Sequence, residues 1–404
     1  MIDKITTSKY MGAKTNGLSI IITGITVPEL ILYLAVIINL MFSLAYPVYN
    51  AIHEYYHLIA FSFAVLLIVC EINIKINIIN TVKIILLVAI SMMILYLNNS
   101  GFGVIIQILW PLTIIYVIKR DRFSGDFINR ITFLMLVGWL MAFLAANNID
   151  PKFFEYIEAG IEVDSLNPNT IAIIIVFTAL FLELYVDSHS KSKLVKMIIY
   201  MLSLIALYQT QSRTSMIAYM LVLVLGMFVN KTIRKSRKIG MLIVVTVVAV
   251  GIVFPLIYTM LYFYDVISYH TLFMGKRIFT GRQYIWLNLY EYLQVHTEAY
   301  LIGVGYNTEL FSRGTFNLHN AYLMIFAQYG IPFLLVFLRY IYCSIKKMYD
   351  NVGQISDLQF KCYQVIIYTL LVGVTETILS YLPNMIFIAM AIGIGIRSKK
   401  MEEI

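Results

Sequence analysis

Two arginines and one histidine stand out in this sequence because their side chains together suit one kind of chemistry. Arg213 lies in QTQSRTSM, Arg282 follows Thr280-Gly281, and His319 lies in LHNAYL. A guanidinium group binds phosphate oxygens through paired hydrogen bonds and stays charged at every relevant pH. A neutral imidazole titrates near working pH and can take the proton from an attacking sugar hydroxyl. The three residues together therefore fit glycosyl transfer from a lipid-linked diphosphate, with the arginines offsetting the charge that grows on the departing diphosphate.

Three further positions have both a structural and a chemical interpretation. Asn167-Pro168 is typical of a helix N-cap followed by proline at the first helical position, which accounts for the pair without a function. Gly303 and Gly305 are expected to form a turn. Glu376, in GVTETILS, is expected near the outer end of a membrane helix. Because a carboxylate is costly in lipid, it should face a cavity or a partner, either an arginine or an acceptor hydroxyl.

The composition requires a membrane environment for these residues. Hydrophobic residues make up 60% of the 404 positions and charged residues only 13%, and the mean hydropathy is +0.83. A soluble domain is about 45–50% apolar and roughly 25% charged, so it has enough polar surface to cover its core. This chain does not, and the sequence predicts an all-α polytopic membrane protein.

Apolar runs of the length needed to cross a bilayer, ~20 residues, recur along the chain. We predict about twelve such helices in a single integral membrane domain over residues 1–404. The predicted runs are 27–47, 56–73, 80–97, 101–118, 129–146, 168–187, 194–210, 213–229, 240–263, 320–342, 361–380 and 383–396.

The distribution of basic residues supports this topology. With the N-terminus inside and strict alternation, most of the 30 Lys and Arg residues fall on the cytoplasmic side. The exceptions are Lys152, Arg213, Lys276, Arg277, Arg282 and Arg313. Cytoplasmic loops of membrane proteins carry such an excess, so we expect both termini to be cytoplasmic and the active site to face outward from the inner membrane. The net charge of +8 is then a topology signal and does not indicate nucleic-acid binding.

Two outside segments are too long to be simple turns. One is 147–167, which is rich in acidic residues, and the other is 264–319. Long loops in compact proteins are usually functional or disordered, and the many aromatic residues of the second argue against disorder. Within it, Ile285, Leu289 and Tyr292 share one helical face, which predicts an amphipathic helix over 282–296 along the outer surface.

The order of the motifs resembles the O-antigen ligase and Wzy-type polymerase superfamily. In that family a Gly-Arg opens a long extracytoplasmic loop, a Gly-x-Gly follows, and His-Asn precedes an apolar helix with a glycine about ten residues on. The corresponding positions are Gly281-Arg282, Gly303-Val304-Gly305, His319-Asn320 and Gly330, in TGRQYIW, LIGVGYN and LHNAYLMIFAQYGIPFLLVF. The segments Ser212-Arg213-Thr214 and Asn167-Pro168-Asn169 also match. The resemblance covers about residues 165–335.

The resemblance implies a metal-independent, inverting glycosyltransferase without a cofactor that acts on undecaprenyl-diphosphate-linked oligosaccharides in the bilayer. Arg213 and Arg282 would bind the diphosphate and His319 would be the base. We expect Asn320, Asn169, Gly281, Glu376 and Gly305 to contribute to substrate binding. Phe333, three residues after Gly330, replaces the small or polar residue of many ligases and favours a polymerase, which would work with a chain-length regulator and a flippase.

Several alternatives remain open at this point. An O-antigen-type ligase shares the same motifs, and a polysaccharide flippase or other transporter shares the hydropathy, although few charges lie within the predicted helices. His53-Glu54-Tyr55-Tyr56-His57 matches the HExxH zinc-protease motif, with both histidines on one helical face, but no Asp-Gly supplies a third ligand. Glu162-Val163-Asp164 has the shape of a metal-dependent ExD site.

Overall fold

The computed structural model describes residues 25–71, 103–119, 126–150, 153, 165–189, 192–273, 276–305, 317–349 and 353–402. Two features predicted from the sequence, the run 80–97 and the ExD motif at residues 162–164, lie outside these ranges.

The described residues are almost entirely helical. In chain order the α-helices are α1 (Val27–Leu44), α2 (Tyr46–Ile52), α3 (Tyr56–Glu71), α4 (Gly103–Lys119), α5 (Phe127–Asn147), α6 (Pro168–His189), α7 (Lys193–Thr210), α8 (Arg213–Val224), α9 (Asn230–Lys235), α10 (Arg237–Phe263), α11 (Arg282–Val295), α12 (Ala299–Ile302), α13 (Ala321–Met348), α14 (Asp357–Val372) and α15 (Leu382–Glu402). A π-helical segment, Leu225–Val229, joins α8 to α9. The two short strands β1 (Leu272–Phe273) and β2 (Lys276–Arg277) pair antiparallel.

Seven helical segments within the described ranges are long and apolar enough to cross a membrane, and one of them, Arg213–Lys235, consists of α8, the π-helical segment and α9 together. An eighth span is added if the bent pair Tyr46–Ile52 and Tyr56–Cys70 counts as one, and the shorter apolar helices Ile105–Lys119 and Leu382–Arg397 lie beside them. The prediction of an all-α polytopic membrane protein is confirmed. The number of twelve spans, the cytoplasmic termini and the side on which the long loops lie stay predictions.

Each predicted run within the described ranges contains a helix, but some boundaries were wrong. The run 361–380 ends as a helix at Val372, so Glu376 lies in the turn between α14 and α15 and not inside a spanning helix. The last helix is longer than the predicted 383–396 and extends over Leu382–Glu402.

The bundle has a fully buried centre and an apolar exterior. Helix α6 is buried on every side from Ile171 to Leu184, and α14 is buried along most of its length, because both are apolar all round and pack between neighbouring helices. In contrast, α7 exposes Met197, Met201 and Ile205. An apolar face of this size is stable against lipid and not against water.

The loop between α10 and α13 contains the predicted amphipathic helix. It is α11, and its buried stripe consists of Gln283, Trp286, Leu289 and Leu293. The predicted apolar face through Ile285 and Tyr292 is therefore displaced from the observed buried face, because both side chains lie beside that face and are half-buried. The stripe packs on α10 and on the loop before α13 because Trp286 inserts between them.

Helix α13 is broken at Gly330, where φ is 81° and ψ is 175°. The break leaves the Ala327 carbonyl near a helix end, and it accepts the backbone N–H groups of Val304 and Gly305 at 2.6 and 3.1 Å. A Cβ on Gly330 would lie 2.2 Å from the Leu301 carbonyl oxygen. The Gly-x-Gly segment and Gly330 are therefore one packing unit in which two backbones touch.

We expect Gly330→Ala to destabilise the protein more than Gly353→Ala does. Both glycines have positive φ, 81° and 84°, so either substitution incurs backbone strain of about 1–3 kcal/mol. Only Gly330 adds a backbone clash, since the nearest atom to a Cβ on Gly353 is 3.6 Å away. Thermal unfolding of the purified variants in one detergent measures this difference. Equal melting temperatures would contradict the close approach of α12 and α13.

Candidate active site

Four helices begin around one short turn at the same end of the bundle. The turn is Val374-Thr375-Glu376, between α14 and α15, and the helices are α6, α8, α11 and α13. Contacts with the turn come from Asn169, Thr214, Arg282 and Asn320, each within the first two residues of its helix or at its N-cap. Helix N-termini carry partial positive charge and free N–H groups. The carboxylate at the centre of the turn therefore lies in a field that favours an anion.

Glu376 has three partners in this cluster. Its Oε1 accepts hydrogen bonds from Arg282 Nη2 at 3.0 Å and from Asn169 Nδ2 at 3.3 Å, and its Oε2 lies 3.9 Å from His319 Nδ1. Arg282 also donates from Nη1 to the Thr375 carbonyl at 2.8 Å. The glutamate and arginine side chains are only 14% and 20% exposed. At this burial the pair is far less screened than a surface ion pair.

The environment of Glu376, which lies outside the spanning helices, changes its acidity in two opposite ways. Burial raises the pKa of this carboxyl, whereas the Arg282 charge and the nearby His319 imidazole lower it. The lowering effects are larger, so the pKa of Glu376 lies below its usual value. The carboxylate is therefore ionised at neutral pH and can stabilise positive charge on either neighbour.

His319 is held in a conformation that is unusual for this residue type. Its φ is +48°, and its backbone N–H donates to Asn317 Oδ1 at 2.9 Å. A non-glycine residue in the left-handed region stores strain and is commonly found at functional sites. The Nδ1 atom is buried and has no hydrogen-bond partner among the described residues, while the side chain as a whole is 33% exposed. Since Nδ1 faces Glu376, Nε2 is left on the other edge of the ring.

Asn320 fixes the loop that carries His319. Its Oδ1 accepts the Leu323 N–H at 2.8 Å as the N-cap of α13, and its Nδ2 donates to the carbonyls of Gly251 and Val374 at 2.9 and 2.8 Å. The side chain is fully buried. Asn320 was predicted to bind substrate, but the structure places it as an anchor between α10, α13 and the Glu376 turn.

Arg213 lies at the edge of the same cluster. Its neighbour Thr214 makes a 2.6 Å hydroxyl–hydroxyl contact with Thr375, and the Arg213 and Arg282 charges are close enough to repel each other. Arg213 Nη1 and Nη2 donate to the carbonyls of Phe273 and Arg277 at 2.9 and 3.1 Å. It therefore joins the α8 N-terminus to the β1–β2 hairpin.

The two glycines predicted to contribute to the site have different positions. Gly281 is the N-cap of α11 and directly precedes Arg282; its φ is +86°, and no atom lies within 4 Å of a Cβ position there. Gly305 is buried against Ala327. Ala327 is seven residues beyond Asn320, about 10 Å along α13. Gly305 is therefore not brought together with the arginines and His319.

An aromatic cluster that the sequence analysis did not identify supports both loops of the site. Trp286 donates from Nε1 to the Leu318 carbonyl at 2.7 Å, and Tyr258 packs edge-on against Trp286 and Phe279. The Thr280 N–H donates to the Tyr258 hydroxyl at 3.3 Å. Trp286 lies four residues, or about one helical turn, after Arg282 in α11. This spacing places both side chains on the same face of the helix and could have indicated that Trp286 supports the site. The cluster orients the residues that come just before Arg282 and His319.

The HExxH motif does not form a metal site. The chain bends by 83° between Tyr46–Ile52 and Tyr56–Cys70, so His53 lies in the bend while His57 lies in α3, and the expected common helical face was wrong. His53 Nδ1 is 3.1 Å from the Asn50 carbonyl. No group of three His, Cys, Asp or Glu side chains within the described ranges is arranged to hold a metal ion.

The fold and this cluster define a multi-pass membrane protein with a buried Arg–Glu pair and a strained histidine at one end of its bundle. Residues 198–338 match a family model described as O-antigen ligase, so this part of the chain is similar to that family, in agreement with the resemblance of its motifs. Members of this family are membrane enzymes of glycosyl transfer, either ligases or polymerases. No curated protein and no solved structure matches the chain. The matched region contains Arg213, Arg282 and His319 and ends before Glu376.

We expect Arg282→Ala to change the pH dependence of stability. In the wild type, folding lowers the pKa of Glu376 below its usual value, so its stabilising contribution is present above about pH 4.5 and is lost as pH falls through the folded-state value. In the variant, burial remains without the arginine charge, so the pKa of Glu376 rises and its ionisation opposes folding at higher pH. The difference in melting temperature between the two proteins should therefore grow from about pH 4 to pH 7.

The control for this experiment removes the carboxylate. Glu376→Gln and the double variant Arg282→Ala/Glu376→Gln should differ by an amount that is the same at every pH across that range. A pH-dependent difference between these two proteins would assign the effect to another group.

Proposed function

We propose that this chain polymerises undecaprenyl-diphosphate-linked oligosaccharide repeat units into a bacterial surface polysaccharide, by inverting glycosyl transfer that needs no metal ion. The observation that carries the proposal is the convergence of Arg213, Arg282, His319 and Glu376 on one turn where four helices begin. The family match supports the broader class of lipid-linked glycosyl transfer.

The arginines supply the binding site for the donor diphosphate. Arg282 already holds an anion, Glu376, in bidentate contact with the turn, and Arg213 carries a second charge close to it. A diphosphate is a stronger anion than one carboxylate and can exchange for it on Arg282. The N-termini of α8 and α11 add their positive ends on the same side.

His319 and Glu376 form the proton-accepting pair. Glu376 faces Nδ1 of His319 at 3.9 Å, which leaves Nε2 for an acceptor hydroxyl. A carboxylate behind an imidazole selects the reactive tautomer and stabilises the imidazolium that forms. When the diphosphate takes over Arg282, Glu376 becomes the counter-ion of the protonated His319.

The reaction balances in a single displacement. The acceptor hydroxyl oxygen forms a bond to the anomeric carbon of the donor as the bond from that carbon to the diphosphate oxygen breaks. The hydroxyl proton goes to His319 Nε2. The electron pair of the broken bond stays on undecaprenyl diphosphate, where the two arginines offset it.

Orientation follows from the distribution of charge between the two ends of the bundle. Lys193, Arg234, Arg237, Lys346 and Lys347 all lie at the end opposite to the His319 cluster. Because cytoplasmic ends of membrane proteins carry such residues, we place the cluster on the outer side of the inner membrane. A flippase would deliver the repeat units there, and a chain-length regulator would limit the product.

A polymerase is preferred to a ligase on one feature, Phe333, which stacks on Tyr329 at 4.3 Å just beyond the break of α13. Deletion of the gene followed by gel separation of surface glycans distinguishes the two activities. We expect the ladder above one repeat unit to disappear. Polymer that accumulates on the lipid carrier without transfer would instead identify a ligase.

We expect His319→Ala to reduce chain growth by roughly 10²–10⁴-fold, the usual contribution of a general base. The assay uses purified protein in nanodiscs with defined lipid-linked repeat units, with and without EDTA. His296→Ala is the matched control, since His296 is also a histidine paired with a glutamate but is exposed outside the cluster. Chain growth that EDTA abolishes, or that survives His319→Ala, would reject the mechanism.

A further inference from the structure

A group of tyrosine rings lies where the long loop leaves α10. Tyr262 packs edge-on against Tyr269 and Tyr284, with ring centroids 6.1 and 5.4 Å apart, and the hydroxyl groups of Tyr262 and Tyr284 are in contact. Arg277 lies over the Tyr269 ring, with its Cζ 5.0 Å from the ring centroid. We name Tyr262, Tyr269, Tyr284 and Arg277 the tyrosine cluster. Its members come from α10, the segment before β1, α11 and β2.

Two connections place the tyrosine cluster next to both arginines of the candidate active site. Tyr284 follows Arg282 by two residues in α11. Arg213 donates to the carbonyls of Phe273 and Arg277 at 2.9 and 3.1 Å, so the hairpin that carries Arg277 is attached directly to Arg213. A ligand held by the two arginines would therefore have the tyrosine cluster beside it.

Rings in and around the tyrosine cluster are accessible from outside the protein. Tyr284 is 47% exposed, and so is Phe263, which packs edge-on against it. In a T-shaped pair only one of the two rings has a face covered by the other ring. The cluster therefore presents ring faces as well as hydroxyl groups to its surroundings.

Charged side chains among the rings indicate that these surroundings are aqueous. Asp265 and Arg277 lie in the same loop as Tyr269, and both are exposed. A charged side chain is costly in the hydrocarbon region of a bilayer and is rarely exposed to lipid there. The accessible rings are therefore not explained as part of the lipid-facing apolar surface of the bundle.

The chemical groups of the tyrosine cluster suit a sugar ring. A pyranose has C–H groups that pack on an aromatic face and hydroxyl groups around its rim that need hydrogen-bond partners. In the contact between Tyr262 and Tyr284 one hydroxyl donates and the other accepts, so the accepting hydroxyl keeps its own hydrogen for a further partner. Arg277 donates one side-chain hydrogen bond within the described ranges, from Nη1 to the Tyr269 hydroxyl at 3.2 Å, and a guanidinium group has several more N–H groups. Apolar faces and polar donors are thus combined as a carbohydrate requires.

We propose that the tyrosine cluster binds a sugar ring of the acceptor glycan while the donor diphosphate lies on Arg213 and Arg282. The acceptor reacts through a hydroxyl group, so its orientation at the reaction centre must come from contacts with its sugar rings. This inference rests on the function proposed above and adds to it the position of the acceptor.

Calorimetric titration of the full chain in nanodiscs measures this contact without requiring catalysis. The probe is the oligosaccharide released by mild acid from the lipid-linked repeat units of the native bacterium, which has lost the diphosphate and can act only as an acceptor. We expect Tyr284→Ala to raise its dissociation constant about fivefold, the effect of one aromatic contact. Tyr284→Phe, which keeps the ring, should cause a smaller increase. No binding to the wild type, an unchanged constant in Tyr284→Ala, or an equal loss in both variants would overturn the proposal.

The matched control is Tyr264→Ala. Tyr264 directly follows α10 and is 77% exposed, but it is not one of the rings that pack together in the tyrosine cluster. This variant should bind the oligosaccharide as the wild type does, and an equal loss would show that any exposed tyrosine in the loop has the same effect. Undecaprenyl diphosphate without sugar should not displace the oligosaccharide. Displacement would place the oligosaccharide on the arginines and reject the tyrosine cluster as its site.

The outcome is separable from that of the proposed function. If the wild type shows no chain growth but binds the oligosaccharide in a Tyr284-dependent way, the proposed polymerase activity fails and the glycan site is supported. If chain growth occurs and binding does not depend on Tyr284, the activity is supported and the glycan site is rejected. If Tyr284→Ala does not fold, Arg277→Gln must raise the dissociation constant in its place, and an unchanged constant in that variant would reject the site.

Discussion

The contact between Arg282 and the Thr375-Glu376 turn is the interaction on which the site depends. Arg282 is the first residue of α11, and the turn joins the last two described helices, so this pair is one of the contacts that tie the long loop to the bundle. The partners are mostly buried, and either charge alone would be costly there. Three more helices use the same turn for their N-terminal contacts. His319 and Arg213 lie beside this turn, His319 with its Nδ1 3.9 Å from Glu376 and Arg213 next to Thr214, which contacts Thr375.

Much of the fold could be predicted from hydropathy, because an apolar run of about 20 residues by itself indicates a membrane-spanning helix. The sequence also identified Arg213, Arg282, His319, Asn169 and Glu376, and the structure brings these five around one turn. What it could not provide was the end of α14 at Val372, since Val374, Ile378 and Leu379 continue the apolar pattern beyond that residue. Hydropathy also cannot separate a contact with substrate from an internal anchor, and Asn320, predicted as the former, is the latter. The buried stripe of α11 was misassigned because aromatic residues occur on several of its faces.

The spacing between the glycine motifs has a physical explanation in the break of α13. The first part of that helix, Ala321–Tyr329, is buried all round, whereas the part after Gly330 has an exposed face. The Ala327 carbonyl near the break accepts two N–H groups of the Gly-x-Gly segment. Because both sides approach through backbone, glycine is required on each. This unit fixes the end of the first part of α13, Ala321–Tyr329, and His319 lies just before the start of that part.

The position of the Glu376 turn late in the chain also has a consequence for biosynthesis. Arg213, Arg282 and His319 leave the ribosome well before Glu376 does, so for that interval their charges lack the carboxylate that later neutralises them. An incomplete chain inserted in the membrane would therefore lack the Arg282–Glu376 pair and the carboxylate that faces His319. The chemistry proposed for this site would become possible only once α14 and α15 have docked.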